Sequence, residues 1–396
     1  SLPATNDCWY FTSTLADCCH GVPPAPAFYE IGYAWFDEAA FGQTLQRAYE
    51  QTDRDSLDAL LFGRAELPGA TGEPSPSTLL PASGYAILRS DAPTLSANEQ
   101  RYLLLKYGPH GGGHGHPDKL NLLLYANGQR FSPDLGTPGY GLDLFESWYR
   151  QTASHNTVTV DGQSQPEASG ELRFFQGDGL FQVADAGVSW PDETGVYAGL
   201  SMRRVVLARP DYFLDIFTVE APQPRRFDWL YRTMGSLHTS LPLADYPGID
   251  AEGQGYQHID GARQAVSRGE WQAEWRLSSG GLALFAPGTK DGEVLTGVTP
   301  GNPPTDQAVT LIQRRFGTTA VFVTLFHPYA DSPTISAVEW MANDGSTAGW
   351  AGCRVTVGGQ REQWLIRLQP DRIAPDWGAA SEAETKFSYA LDEAIA

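Results

Sequence analysis

The chain has 396 residues, enough for two or three domains and a sizeable buried core. Its formal net charge of −20 makes it a poor binder of nucleic acid or anionic membrane, and no stretch approaches the ~20 apolar residues of a membrane span. Abundant Gly and Pro, sparse Lys and Arg and many Trp and Tyr fit a β-rich fold whose rings could stack on sugars. A polyanionic partner would need a locally basic cleft set against the negative field of the whole.

The chain opens at Ser1-Leu-Pro-Ala-Thr-Asn-Asp7 without Met and without the charged and apolar regions of a signal peptide, so it reads as a fragment or processed form. Residues 1–66 carry helical spacing. Ala34-Trp-Phe-Asp-Glu-Ala-Ala-Phe41 and the run from Phe41 to Tyr49 place apolar residues three and four apart, and Gly63 suits a C-cap. Residues 67–83, with Pro68-Gly-Ala-Thr-Gly-Glu-Pro-Ser-Pro-Ser77, have the composition of a linker. Across 84–330 the period becomes strand-like: Tyr85 to Ser90, Arg101 to Tyr107, Leu120 to Ala126, Asn156 to Asp161, Met202 to Ala208, Tyr212 to Val219 and Ala320 to Phe326. Ala126-Asn-Gly-Gln129, Asp161-Gly162 and Arg209-Pro-Asp211 supply turns. Trp364 to Leu368 is a further strand in a C-terminal β subdomain, 331–396, which follows a boundary near Pro328 to Pro333. The expected fold is mainly β, a large antiparallel sandwich behind a short helical segment. Cys8, Cys18, Cys19 and Cys353 form no Cys-x-x-Cys pair; buried thiols are expected, with their disulfide state and the compartment left open.

Chemistry concentrates in Gly108-Pro-His-Gly-Gly-Gly-His-Gly-His-Pro-Asp118. Gly at this density gives backbone freedom at an entropic cost, which suits a loop that approaches a ligand or aims several imidazoles. His116, Asp134 (in Phe131-Ser-Pro-Asp-Leu-Gly136) and His155 (in Ser154-His-Asn-Thr157) make a two-nitrogen, one-oxygen set suited to Zn²⁺ if the Asn127-Gly128 hairpin returns Asp134 to the loop. The alternative is a polar turn whose rings only donate hydrogen bonds. Tyr140, flanked by Gly139 and Gly141, suits a general acid or base, or an aromatic platform. Lys119, Asn121, Arg150 and Gln151 could receive a carboxylate, or be exposed polar residues. Arg203 and Arg204 put one charge on each face of a strand. Glu146, Glu167 and Glu171 form no distinctive acid pair, and there is no serine elbow, P-loop or dinucleotide fingerprint in a fitting context.

This ordered series of motifs, from Gly108 to Asn121, Phe131 to Gly136 and Ser154 to Val158, resembles the central β-domain of heparinase II/III-type polysaccharide lyases over residues 84–330. The Gly-rich loop followed by Pro-Asp-Lys-Leu is most similar to the exolytic oligoalginate lyases. Leu2 to Asp7 also resembles the end of the family's α/α toroid, which implies that most of the toroid, with residues that bind the substrate carboxylate, is absent here. The resemblance implies β-elimination at a uronic acid, giving a 4,5-unsaturated uronate. It implies catalysis by His114, a cleft or catalytic role for Tyr140, and structural Zn²⁺ on His116, Asp134 and His155. Lys119 and Arg150 are the expected contacts to substrate. Oligoalginate is the expected substrate, with heparin, heparan sulfate or another glycosaminoglycan as the alternative. The competing classes are a non-catalytic anionic-carbohydrate-binding domain and a zinc hydrolase. A missing toroid half or a second copy of the chain is the expected protein partner, nucleic acid and membrane are not, and a bacterial periplasmic or secreted location is expected over a cytoplasmic one.

Overall fold

The computed structural model describes residues 26–49, 53–68, 76–89, 101–249, 254–277, 280–340, 350–368 and 384–389. Cys8, Cys18, Cys19 and the Leu2 to Asp7 motif lie outside them. Three helices come first, α1 (Pro26–Phe36), α2 (Ala39–Tyr49) and α3 (Leu57–Phe62). Ser56 caps α3, its Oγ accepting from the Ala59 N–H at 3.1 Å, and the Gly63 N–H closes the last turn on the Ala59 carbonyl. Glu30 on α1 is buried and takes a two-pronged bond from Arg54 and one from the Tyr49 hydroxyl, which ties the helices together.

Most of the remaining described residues build antiparallel sheet, in agreement with the expected class. Strands β1 (Thr78–Leu80), β2 (Tyr85–Arg89), β3 (Arg101–Lys106), β4 (Asn121–Ala126) and β5 (Gln129–Arg130) form an antiparallel meander. It begins inside the stretch with linker composition, because Leu79 and Leu80 pair with Ala86 and Tyr85.

The second sheet has twelve strands. They are β6 (Val158–Val160), β7 (Glu171–Gln176), β8 (Gln182–Ser189), β9 (Ser201–Ala208), β10 (Phe213–Thr233), β11 (Ser236–Thr239), β12 (Ala244–Asp245), β13 (Asp260–Val266), β14 (Trp271–Arg276), β15 (Gly281–Ala286), β16 (Glu293–Pro300) and β17 (Gln307–Tyr329). The two long strands β10 and β17 pair along their lengths through a bulge between Glu220 and Arg225, and β6 joins the second half of β10 at Phe227–Trp229. Pro222 and Pro224 sit in that bulge, where prolines are tolerated. The sequence reading ends a strand at Val219; the chain instead continues through the bulge and extends the sheet under the site.

A third sheet holds β18 (Ile335–Trp340), β19 (Trp350–Val357), β20 (Gln360–Arg367) and β21 (Glu384–Tyr389). The large sheet is covered on both faces. Alternate residues of β9 and β10, such as Val206, Phe213 and Phe217, pack toward the first sheet, while Val205, Leu207, Leu214 and Ile216 pack toward Cys353, Trp364 and Ile366 of the third. Burial on both faces explains why these strands read as continuous apolar runs rather than alternating ones. It also changes the reading of Arg203 and Arg204. They do point to opposite faces, but both faces are covered, and each arginine makes a buried two-pronged pair, with Asp185 and Asp215 respectively.

Candidate functional site

The site grows from the hairpin of β3 and β4. Asn127 (φ 52°) and Gly128 (φ 75°) both take left-handed conformations, which the tight two-residue turn between β4 and β5 requires. The returning chain is sewn to β4 by the Phe131 N–H on the Leu124 carbonyl (2.8 Å) and the Leu124 N–H on Ser132 Oγ (2.6 Å). This brings Asp134 beside Asn121, whose Nδ2 donates to Asp134 Oδ2 at 3.2 Å.

The other end of the hairpin carries the Gly-rich loop, which closes in a 3₁₀ turn, Gly112–His114. Gly112 holds φ 66°, a conformation side chains resist, and a Cβ on Gly115 would lie 2.0 Å from the His110 carbonyl oxygen. After Gly115 the chain dives, so that His114 is exposed while His116 is fully buried.

His155 arrives from a second 3₁₀ turn, Thr152–Ser154, just before β6. His116, Asp134 and His155 are all buried, and one potential ligand atom from each lies within 4.8 Å of the others. His155 Nδ1 stands 3.7 Å from Asp134 Oδ2, too far for a hydrogen bond and close to the spacing of neighbouring ligands on an ion with bonds of about 2.0–2.2 Å. Among the described residues neither ring nitrogen of His155 has a hydrogen-bond partner, although both are buried. Such a pair of orphaned atoms needs an explanation, and a cation between the three side chains gives one. Burial pushes the His155 imidazole well below its ordinary value, which keeps it in the neutral form that ligates. The Asp134 carboxyl is raised, by burial and then by the Asp118 charge, and a bound cation would offset both. The residues therefore fit a metal ion.

Beneath the loop lies a charged pair that the sequence reading did not single out. Lys106, at the end of β3, is buried against Asp118. Burial alone would raise the Asp118 carboxyl, but the Lys106 ammonium bonded to it, with Lys119 nearby, holds it down at about 2. A lysine ending an apolar strand is the only local signal of this pair.

Lys119 is not at the surface. It is buried, its ammonium donates to the Pro109 carbonyl at 3.2 Å, and burial lowers it to about 8. Its backbone is held from both sides by Gln165 and Thr157. The expected contact to substrate is thus replaced by an anchor for the loop, because the side chain is buried with its ammonium turned onto the Pro109 carbonyl.

Above the buried group, His114 Nδ1 and the Tyr140 hydroxyl are 3.1 Å apart, and both residues are exposed. Tyr140 stands edge-on to Phe145, ring centroids 5.4 Å apart, at the rim of an open cleft of about 570 Å³ that runs past Phe145 and Glu146 to Ser147. Phe145 starts a π-helical turn, Phe145–Tyr149, a feature frequent at functional sites. Arg150 ends this turn with its guanidinium over the Phe145 ring and 3.3 Å from Glu146. His110 lies apart from these groups, 3.3 Å from exposed Glu167, with its imidazole lowered by burial.

Comparison with known proteins joins this geometry to a family. Residues 72–338 match the sequence model described as Heparinase II/III-like, C-terminal. The chain is 31% identical over 204 residues to an alginate lyase of Stenotrophomonas maltophilia (44% of this chain, 26% of that protein). It is 26% identical over 258 residues to an exo-oligoalginate lyase of Saccharophagus degradans (57% of this chain, 35% of that protein). Among solved structures, the heparan sulfate lyase of Pedobacter heparinus superposes with a TM-score of 0.62 at 16% identity, over 93% of this chain and 50% of that one, a likeness of fold. The chain thus spans half or less of the length of each of these three proteins.

Proposed function

The chain belongs to the heparinase II/III-like family, and on that premise we propose that it cleaves a uronic-acid-containing chain by β-elimination, with oligoalginate as substrate. The observation that carries this reading is the exposed contact of His114 with Tyr140 at 3.1 Å, on a loop rooted in a buried ligand group. The names of the two alginate-cleaving relatives favour oligoalginate over a sulfated glycosaminoglycan.

In β-elimination the C5 proton of the uronate is removed and its electron pair becomes the C4–C5 double bond. The C4–O4 bond breaks, and O4 leaves with its pair and takes a proton. A positioned base and acid meet those two demands. His114 takes the C5 proton; Tyr140 gives its hydroxyl proton to O4. The hydrogen bond between them then passes a proton from the imidazole Nδ1 to the phenolate, and exchange with solvent at the exposed ring moves the remaining proton from Nε2 back to Nδ1, which resets both groups. Arg150, on the Phe145 face, is the cation we assign to the substrate carboxylate; Glu146 releases it as the carboxylate enters. Zn²⁺ is the ion that His116, Asp134 and His155 would hold, and bound there it would tie the loop to the segment before β6 so that His114 is aimed.

The test is to load the protein with zinc, offer oligoalginate and heparan sulfate separately, and follow ultraviolet absorbance of the unsaturated uronate. Product from oligoalginate is expected. Saturable binding of oligoalginate without product would instead favour a carbohydrate-binding module, and saturated products would favour a hydrolase.

A further inference from the structure

Asn121 is fully buried and its amide serves two partners with opposite demands. Its Nδ2 donates to Asp134 Oδ2 at 3.2 Å, and its Oδ1 accepts the Asn156 N–H at 2.9 Å. Turning the amide over would set oxygen against carboxylate and NH₂ against N–H. One orientation alone satisfies both, so this side chain is fixed by its neighbours.

The two partners belong to different ligand-bearing segments. Asp134 is itself in the ligand group, and Asn156 follows His155. Asn156 is held in turn, its Nδ2 donating to the Leu122 carbonyl (3.0 Å) and its Oδ1 accepting the Arg232 N–H (2.9 Å). Arg204 closes the network from the large sheet. While two of its nitrogens grip Asp215, its Nη1 donates to the carbonyls of Leu120 and Asn156, both at 2.6 Å. Leu120 carries φ 59°, a left-handed conformation that a leucine side chain resists. That strain sits one residue before Asn121 and is held by the Arg204 bond to its carbonyl. The backbone is bent where the bend delivers the amide between the two segments.

We propose that Asn121 is the positioning residue of the ligand group: its donated hydrogen bond sets the Asp134 carboxylate against His155. The proposal rests on reading His116, Asp134 and His155 as a metal site, and does not depend on which sugar is cleaved. Hydrogen bonds to ligating carboxylates tune affinity in this way.

The test measures Zn²⁺ affinity by chelator competition and the visible spectrum of the Co²⁺-loaded full chain. Asn121→Ala is expected to weaken zinc binding about 10- to 100-fold, with the far-ultraviolet circular dichroism unchanged. Asn121→Asp keeps the shape and the acceptor for Asn156 but replaces the donor to Asp134 by an oxygen. It stays informative where the alanine variant does not fold, and its Co²⁺ spectrum is expected to differ from the wild type. Wild-type affinity in Asn121→Ala, or a wild-type Co²⁺ spectrum in Asn121→Asp, overturns the positioning role and leaves the metal site standing. A wild-type protein that binds neither ion overturns the site and the proposal together.

Discussion

Two histidines two residues apart in one loop meet opposite surroundings. His114 sits at an exposed tip, in contact with Tyr140, which is also exposed. His116 is fully buried, its ring 5.3 Å from that of His155 and 6.4 Å from that of Phe145. The glycines make this contrast: left-handed Gly112 turns the tip outward, and Gly115, too crowded for a side chain, lets the chain drop at once into the interior. On the proposed reading, the group that moves protons at a substrate stays accessible, while its footing is held by burial and a dense set of hydrogen bonds.

The largest effect that can break this contrast is loss of the footing itself. Arg204→Met leaves Asp215 buried without its cation and removes the Nη1 bonds to the carbonyls of Leu120 and Asn156. Unfolding free energy from denaturant titration is expected to fall by about 3–5 kcal/mol. A loss under about 1 kcal/mol would mean that the buried network is not what holds the loop. Next comes the ion. At a free Zn²⁺ concentration near 100 times Kd, the wild type should gain about 2.7 kcal/mol of stability, and His155→Ala should gain none. An equal gain in the variant would place the ion elsewhere.

A buried histidine outside the site gives a smaller, signed effect. His327 Nδ1–H donates to the Asp211 carbonyl at 2.7 Å and Nε2 accepts the Thr334 N–H at 2.9 Å, so the ring is held neutral. Burial lowers its imidazole below the ordinary 6.5. The unfolded chain therefore takes up this proton first as pH falls. Its contribution to stability is complete above pH 6.5 and is lost as pH falls from there through the folded value. His327→Gln should flatten the stability curve in that window, and an unchanged slope would contradict the assignment. The smallest stability effect belongs to the tip. Tyr140→Phe, at a residue 53% exposed, should alter unfolding free energy by less than about 0.5 kcal/mol. A larger loss would make Tyr140 part of the footing.

These two regions were unequally legible in the sequence. The ligand group was accessible because a hairpin turn of Asn127 and Gly128 has one geometry, and its length returns Asp134 to the loop. Gly on both sides of Tyr140 and of His114 marks chain that is free to approach a ligand, but their roles come from the resemblance, and their contact across 26 positions is set by the fold. Lys119 depends on long-range information: a lysine after Pro-Asp in a Gly-rich loop has the composition of a surface residue, and Gln165, which holds its backbone inside, lies 46 positions away. Arg203 and Arg204 likewise depend on Asp185 and Asp215, whose meeting is set by strand register. The length of β10 was hidden by Pro222 and Pro224, which read locally as a stop and are accommodated by a bulge.

The central claim, that one loop separates chemistry from footing between His114 and His116, is tested most directly by measuring zinc content and oligoalginate cleavage together in His114→Ala. Zinc at the wild-type stoichiometry with product formation slowed about 10²- to 10⁴-fold is the predicted result. Zinc lost along with His114, or cleavage at the wild-type rate, would contradict it.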